Sequence, residues 1–491
     1  MFRFLILALL AALAPALRAN NIDVANIFLG DRDLSQHSRT IRFDVGWENS
    51  WRVTTTPLNW DAAWIFVKYR IGDGAWQHAT LSGTAQVPTG TTVDVTTDGV
   101  GAFVYRSAPG VGDVLHSGIE VVWDYAADGV TDDDLVTVEV FAIEMVYVPE
   151  GAYFLGANGN DIAEFYQVDG LLPLSTDPYE VDSEASIRIG TLNGDLNFLG
   201  ATIVGNLPTD YPKGYRGFYC MKYETSQQQY VQFFNHQPVT RQLNLDLSVQ
   251  GTLCANLAQF RQTFCWDAAS QATTSYPYVP ISFLSVNQML SYLDWTGLRP
   301  MTELEYEKAS RGTVYPVPGE YAWGNAAIST TAYTVSEENN PDEHVGNADD
   351  VPPSEGNGLY FGCRLRRGTD ILNGPVRVGA FAASGTRFTR ISSGGSYYGI
   401  LELSGNLSEL VVTVGDPVGR AFSGLHGDGE LSEEGWGDVL DWPLGGLGYG
   451  SRGGSFLTPR SSLRVSAREF AATYFTAGEA HGFRGVRSYP N

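Results

Sequence analysis

The chain has 491 residues, 43% hydrophobic and 18% charged, a globular composition that excludes a disordered or fibrous polymer and implies more than one core. With 55 acidic against 31 basic side chains and a formal net charge of −24, it is repelled by nucleic-acid phosphate, and no basic stripe offsets that repulsion. Cys220, Cys254, Cys265 and Cys363 include no C-x-x-C pair, which removes the simplest zinc and thioredoxin readings.

In chain order, residues 1–19 read as a secretory signal peptide. Arg3 opens it, an apolar run covers residues 4–13, and small residues near Ala16 or Ala19 offer the cleavage site. The run is too short to span a bilayer, and no second one is long enough. The mature protein is therefore expected to be exported to the periplasm, the cell surface or the exterior, with no membrane-spanning segment. An even cysteine count in such a compartment permits two disulfides in three pairings. Cys254–Cys265 would close a short loop and leave Cys220–Cys363.

Residues 20–143 read as an all-β domain. Strands are expected at residues 40–47, 63–69, 93–96, 103–105, 118–123 and 135–143, separated by Gly-, Pro- and Asp-containing turns. That spacing predicts a β-sandwich of immunoglobulin or fibronectin type. His37, His78 and His116 show no metal-ligand spacing. Residues 144–491 form the second domain, loop-rich over residues 157–210. Three helices follow. One is capped by Ser226 with Gln229 and carries Tyr230, Phe233 and Phe234. The next is capped by Ser285 and stopped by Gly297. The third is capped by Thr302 with Glu305 and ends at Gly312. Beyond it, helical periodicity fades. Gly446-Leu447-Gly448-Tyr449-Gly450 lies between no strand and helix, so it is a loop and not a phosphate cradle.

Six segments in this order resemble the formylglycine-generating-enzyme (sulfatase-modifying factor) family. The first is Val148-Pro149-Glu150-Gly151 with Phe154 and Gly156. The second is Glu224-Thr225-Ser226 with Tyr230 and Phe233. The third runs from Pro280 through Trp295-Thr296-Gly297-Leu298-Arg299-Pro300-Met301-Thr302-Glu303-Leu304-Glu305 to Arg311-Gly312. Tyr321-Ala322-Trp323-Gly324-Asn325 and Gly399 through Gly405-Asn406 to Glu409 follow. Arg452-Gly453-Gly454-Ser455-Phe456 with Arg464, Arg468 and Gly482-Phe483-Arg484 closes the series. The resemblance implies an irregular α+β, C-type-lectin-related fold for this domain. The whole is thus a multidomain protein with an N-terminal β-sandwich. Arg299, Glu305, Arg452, Arg468 and Arg484 are read as structural residues that hold loops.

The resemblance also implies chemistry. Oxidase members bind copper(I) through two cysteines shortly after G-G-S-W. The matching positions are Thr458 and Leu463, so copper is not expected and no catalytic residue is assigned. A calcium site is carried over to Glu402, the carbonyls of Gly405 and Leu407, and Glu409, hard oxygens suited to Ca²⁺. The leading reading is a non-catalytic binding or structural protein whose partner is an extracellular protein, a glycan or another copy of the chain. Trp436, Trp442, Tyr449 and Tyr474 are the candidate contacts. The alternative is an oxidoreductase of the sulfatase-modifying-factor and nonheme-iron sulfoxide-synthase superfamily. Its metal site would be unrecognised, with His236, His344, His426 and His481 scattered along the domain.

Overall fold

The computed structural model describes residues 21–159, 161–169, 177–198, 203–248, 259–385, 389–471 and 475–489. The signal-peptide region, Cys254 and Tyr474 lie outside them. Nine strands precede residue 149: β1 (Asp23–Asp33), β2 (Ser38–Arg52), β3 (Asp61–Ile71), β4 (Gln77–His78), β5 (Leu81–Gln86), β6 (Thr91–Val95), β7 (Ala102–Arg106), β8 (Gly110–Trp123) and β9 (Val136–Val148). One sheet has the order β1-β2-β8-β5. It faces β9, β3 and β7 across a core that includes Ile41, Phe43, Val45, Ile65, Val67, Val104, Ile119 and Val121. The N-terminal region is thus two packed sheets.

The second of those sheets does not stop at the domain boundary. It runs on through strand Phe218–Met221 and strand Gly485–Ser488 to Arg299–Pro300, eight strands in all with β4 at the side. β9 is the shared strand. One edge pairs with β3 from Val146↔Asp61 to Val136↔Ile71, and the other pairs with Phe218–Met221 over Val148–Met145. The boundary drawn at residues 143/144 falls inside this strand.

A strand buried on both faces loses the apolar–polar alternation of a half-buried one. β3 is buried from Asp61 to Tyr69. Ala63, Ile65 and Val67 point into the sandwich, while Trp64 and Phe66 point into the core of the second domain. Phe103 on β7 stacks on Tyr219, with ring centroids 3.8 Å apart. Trp64 Nε1 donates to Thr296 O at 2.8 Å. Gly297 follows at φ 70°, where a Cβ would sit 2.3 Å from Val100. It therefore both ends a helix and admits the sandwich.

The longer helices are α1 (Gln227–Asn235), α2 (Val239–Leu245), α3 (Val286–Trp295) and α4 (Glu303–Arg311). Capping boxes at Ser226, Ser285 and Thr302 open α1, α3 and α4. α2 has no side-chain cap, so it left no start signal. The loop-rich stretch contains strands of only three residues, such as Phe165–Gln167 and Leu196–Phe198, too short to show a period. Among the described residues no helix is long and apolar enough to cross a membrane. Cys220 and Cys363 are free, buried thiols, which overturns their expected pairing. Cys220 lies in the shared sheet at Cys220↔Val146, and Cys363 bonds Thr331 O instead.

α4 is buried along its whole length, so each charge on it needs a partner. Glu303 accepts from Arg452 and Arg468, and Glu305 takes Arg299 through both oxygens. Glu307 is shared by Arg311 and Arg452. Arg452, Arg468 and Arg311 thus share one buried network with Glu303 and Glu307, and Arg299 with Glu305 forms a separate buried pair on the same helix.

Truncating Trp64 to Ala in the shared sheet is expected to cost about 3–5 kcal/mol. Urea unfolding followed by far-UV circular dichroism and by tryptophan fluorescence should give coincident transitions, because both halves share β9. A second residue of the seam makes stability pH-dependent. Lys68 is buried, donates to Gly429 O and lies 4.8 Å from the Trp295 ring centroid. Burial pulls its ammonium down to about 7 from 10.5. Between these values the unfolded chain holds more protons than the folded one, so the Lys68 contribution raises stability as pH rises from 7 towards 10. Lys68→Met should stabilise the chain at pH 7 and flatten that rise, as read by melting temperature across the window.

Candidate functional site: a cavity on the seam

The shared sheet brings the end of β2 against the second domain, and a cavity of about 520 Å³ opens between them. From the sandwich come Asn49, Trp51, Pro57 and Asn59. From the second domain come Lys222 and Tyr223, just after strand Phe218–Met221, together with residues of the 382–401 segment, among them Arg390, Tyr397 and Tyr398. Such a volume, with aromatic walls interspersed with polar side chains, is typical of a small-ligand site.

Local sequence explains how each wall is placed. Along β2, Ile41, Phe43, Val45 and Trp47 point into the sandwich. A register shift between Trp47 and Ser50 then breaks the alternation, as a bulge does when it re-aims a strand end. Trp51 consequently packs with Tyr397 on the other domain's core. Gly399, at φ 89°, leaves room for the Trp51 ring, which a Cβ would approach to 2.9 Å. Asn59 Nδ2 donates to Tyr398 O at 2.7 Å and ties the two walls together.

The cations of the cavity differ in their surroundings. Lys222 Nζ lies 2.9 Å from Glu144 Oε2 and 3.8 Å from Asp61 Oδ2. Burial works against its charge, but Glu144, Tyr223 and Asp61 outweigh it and hold the ammonium well above its usual range. Asp61 also accepts from Trp47 Nε1 and from the Trp51 amide, both at 2.9 Å, so one carboxylate fixes both the lysine and the tryptophan backbone. Arg390 donates to Ala322 O at 2.6 Å. Burial lowers its guanidinium to about 10, so it is charged at neutral pH.

The four positions carried over for calcium lie in a buried, charged cluster. Glu409 Oε1 accepts from Arg484 Nε at 2.8 Å. Glu402 Oε1 accepts from the Gly379 amide at 2.9 Å, and the Leu407 amide donates to Glu224. Glu402 Oε2 and Glu409 Oε2 are buried without a partner. The positive charge beside them is already supplied by Arg484, which also donates to the carbonyls of Leu401 and Met221. Burial pushes Glu402 up to about 7. Among the described residues no group of three or more His, Cys, Asp or Glu side chains is placed to hold a metal; His236, for one, is engaged by Glu139 at 2.8 Å.

Of the aromatic contacts read from the sequence, Trp442 and Tyr449 are core side chains. Trp442 Nε1 is used by Leu425 O at 2.9 Å, and neither ring presents a face to a partner. Trp436 is half-buried against the same core. Thr458 and Leu463 converge in space, since a Cβ on Gly454 would lie 2.8 Å from Thr458 Oγ1 and 2.7 Å from Leu463 Cδ1. Thr458 Oγ1 is occupied by its own turn, accepting from the Ser455 amide at 2.7 Å. The cavity residues Trp51, Lys222, Arg390 and Tyr397 were missed from the sequence. No sequence signal marked Trp51, which stays in phase with Trp47 and is turned outward only by the register shift between Trp47 and Ser50.

The family model described as sulfatase-modifying factor enzyme 1-like domain matches residues 142–489. The chain belongs to that family. No curated protein is significantly similar to it. Among solved structures, Treponema denticola variable protein 1 matches at 11% identity with a TM-score of 0.31, over 71% of this chain and 96% of that one. That score is too low for the likeness to bear on function.

Because Arg484 already provides the cation beside Glu409, adding calcium or a chelator should move the melting temperature by no more than about one degree. Arg484→Met, which strands Glu409 in the interior, should instead destabilise the chain by about 3–5 kcal/mol, as measured by urea denaturation.

Proposed function

We propose that this chain is an exported, non-catalytic member of the family that binds an extracellular partner, a glycan or a protein segment, in the seam cavity. The observation that carries the reading is the cavity itself: an aromatic, polar-studded space built jointly by the N-terminal sheets and the family domain. In this proposal the N-terminal region is an immunoglobulin- or fibronectin-like sandwich, and the family domain keeps a C-type-lectin-related fold. Thr458 and Leu463 support the loss of oxidase chemistry, since neither side chain ligates copper(I) or exchanges a disulfide. The free thiols do not substitute for them. Burial pushes Cys220 and Cys363 each up to about 12, so at neutral pH neither is a thiolate nucleophile. Export rests on the leader pattern of residues 1–19.

Thermal-shift screening of the mature chain against glycan and peptide libraries tests the reading. Hits should raise the melting temperature, and Tyr397→Ala should weaken them by roughly tenfold or more. Stoichiometric copper or iron, with oxygen-dependent oxidation of a cysteine-containing peptide, would contradict the non-catalytic assignment.

A further inference from the structure

We infer that the seam cavity takes an anionic ligand, a small organic acid with a flat apolar face, whose carboxylate is held by Arg390 while its body lies against Trp51 and Tyr397. This rests on the reading of the cavity as the binding site and adds the chemistry of what fills it.

The argument begins with charge. The chain carries 55 acidic and 31 basic side chains, yet among the described residues the cavity is lined by Lys222 and Arg390 and by no Asp or Glu. Lys222 has its counter-charges behind it in Glu144 and Asp61. Arg390 has none of that kind. Its Nη2 is directed to two backbone carbonyls, Ala322 O at 2.6 Å and Ser310 O at 3.4 Å, and its Nε has no partner. The carboxylate that acts on it electrostatically, Glu320, is engaged by Arg311. A partly desolvated guanidinium without a carboxylate is an unfavourable arrangement that an entering anion relieves. Arginine suits the task, because its planar fork matches a carboxylate and its charge persists. The same guanidinium lies 5.5 Å from the Tyr397 ring centroid, so the charged group and an aromatic platform are adjacent. Trp51, half-buried on the opposite domain, adds a second flat wall. Asn49, Thr389 and Ser393 add neutral polar groups to the lining. Two sources share this chemistry: an acidic sugar, with its apolar ring face and carboxylate, and an aryl carboxylic acid.

Isothermal titration of the full mature chain with matched pairs tests the inference and separates the sources. One pair is digalacturonate against a neutral digalactoside. The other is indole-3-acetate against indole-3-acetamide. The acid of at least one pair should bind about tenfold or more tighter than its neutral partner. That preference should shrink on adding salt. Arg390→Gln should bring the two within about twofold, whereas Arg390→Lys, which keeps the charge but not the fork, should retain part of it. Trp51→Leu should weaken both members of the pair. Equal binding of acid and neutral probe at a site that Trp51→Leu still weakens would overturn the anion while leaving the cavity as the binding site. Absence of binding by all four probes, or binding that Trp51→Leu leaves unchanged, would overturn both.

Discussion

Everything in this molecule depends on one strand serving two cores. β9 gives one edge to β3 and the other to strand Phe218–Met221, so the sheet that closes the N-terminal sandwich is the sheet that founds the family domain. Backbone pairing of this kind fixes the relative position of the halves far more tightly than a side-chain interface does. The faces follow from it. Trp64, Phe66 and Phe103 leave the sandwich and enter the second core, and the end of β2 is carried against the 389–401 segment. A cavity at such a seam is shaped by two halves that do not drift apart, which gives a binding site the preorganised geometry that affinity requires.

The family signature in this chain is largely a scheme for burying charge. α4 would be an implausible core helix on composition alone, with three glutamates, a lysine and an arginine in nine residues. Arg299, Arg311, Arg452 and Arg468 answer those carboxylates, and Arg484 answers Glu409. These pairs hold together a domain whose regular ladders are short, and removing one partner strands the other. The segments that resemble the family are thus carried largely by arginines and capping boxes.

Parts of this were legible in the sequence, for physical reasons. β2 and β8 alternate because one face is wet, and the capping boxes at Ser226, Ser285 and Thr302 are local hydrogen-bond chemistry that needs no tertiary context. β3 was legible as a strand but not as a shared wall. Its unbroken apolar run from Ala62 to Val67 was the sign of burial on both faces. The aromatic loop residues Trp442 and Tyr449 misled because a loop-rich domain must build its core from loops. For Glu402 and Glu409 the motif gave the side-chain types but not the neighbouring Arg484 guanidinium. The cavity was illegible, since Trp51, Lys222 and Arg390 are far apart in the chain and meet only through the continuous sheet.

The most direct measurement is hydrogen-exchange mass spectrometry of the mature chain with and without a bound hit from a ligand screen. If the seam cavity is the site, protection should appear together in residues 49–59 and residues 389–401, on both sides of the shared strand. Protection confined to the 425–449 loops, or to one half alone, would contradict the account.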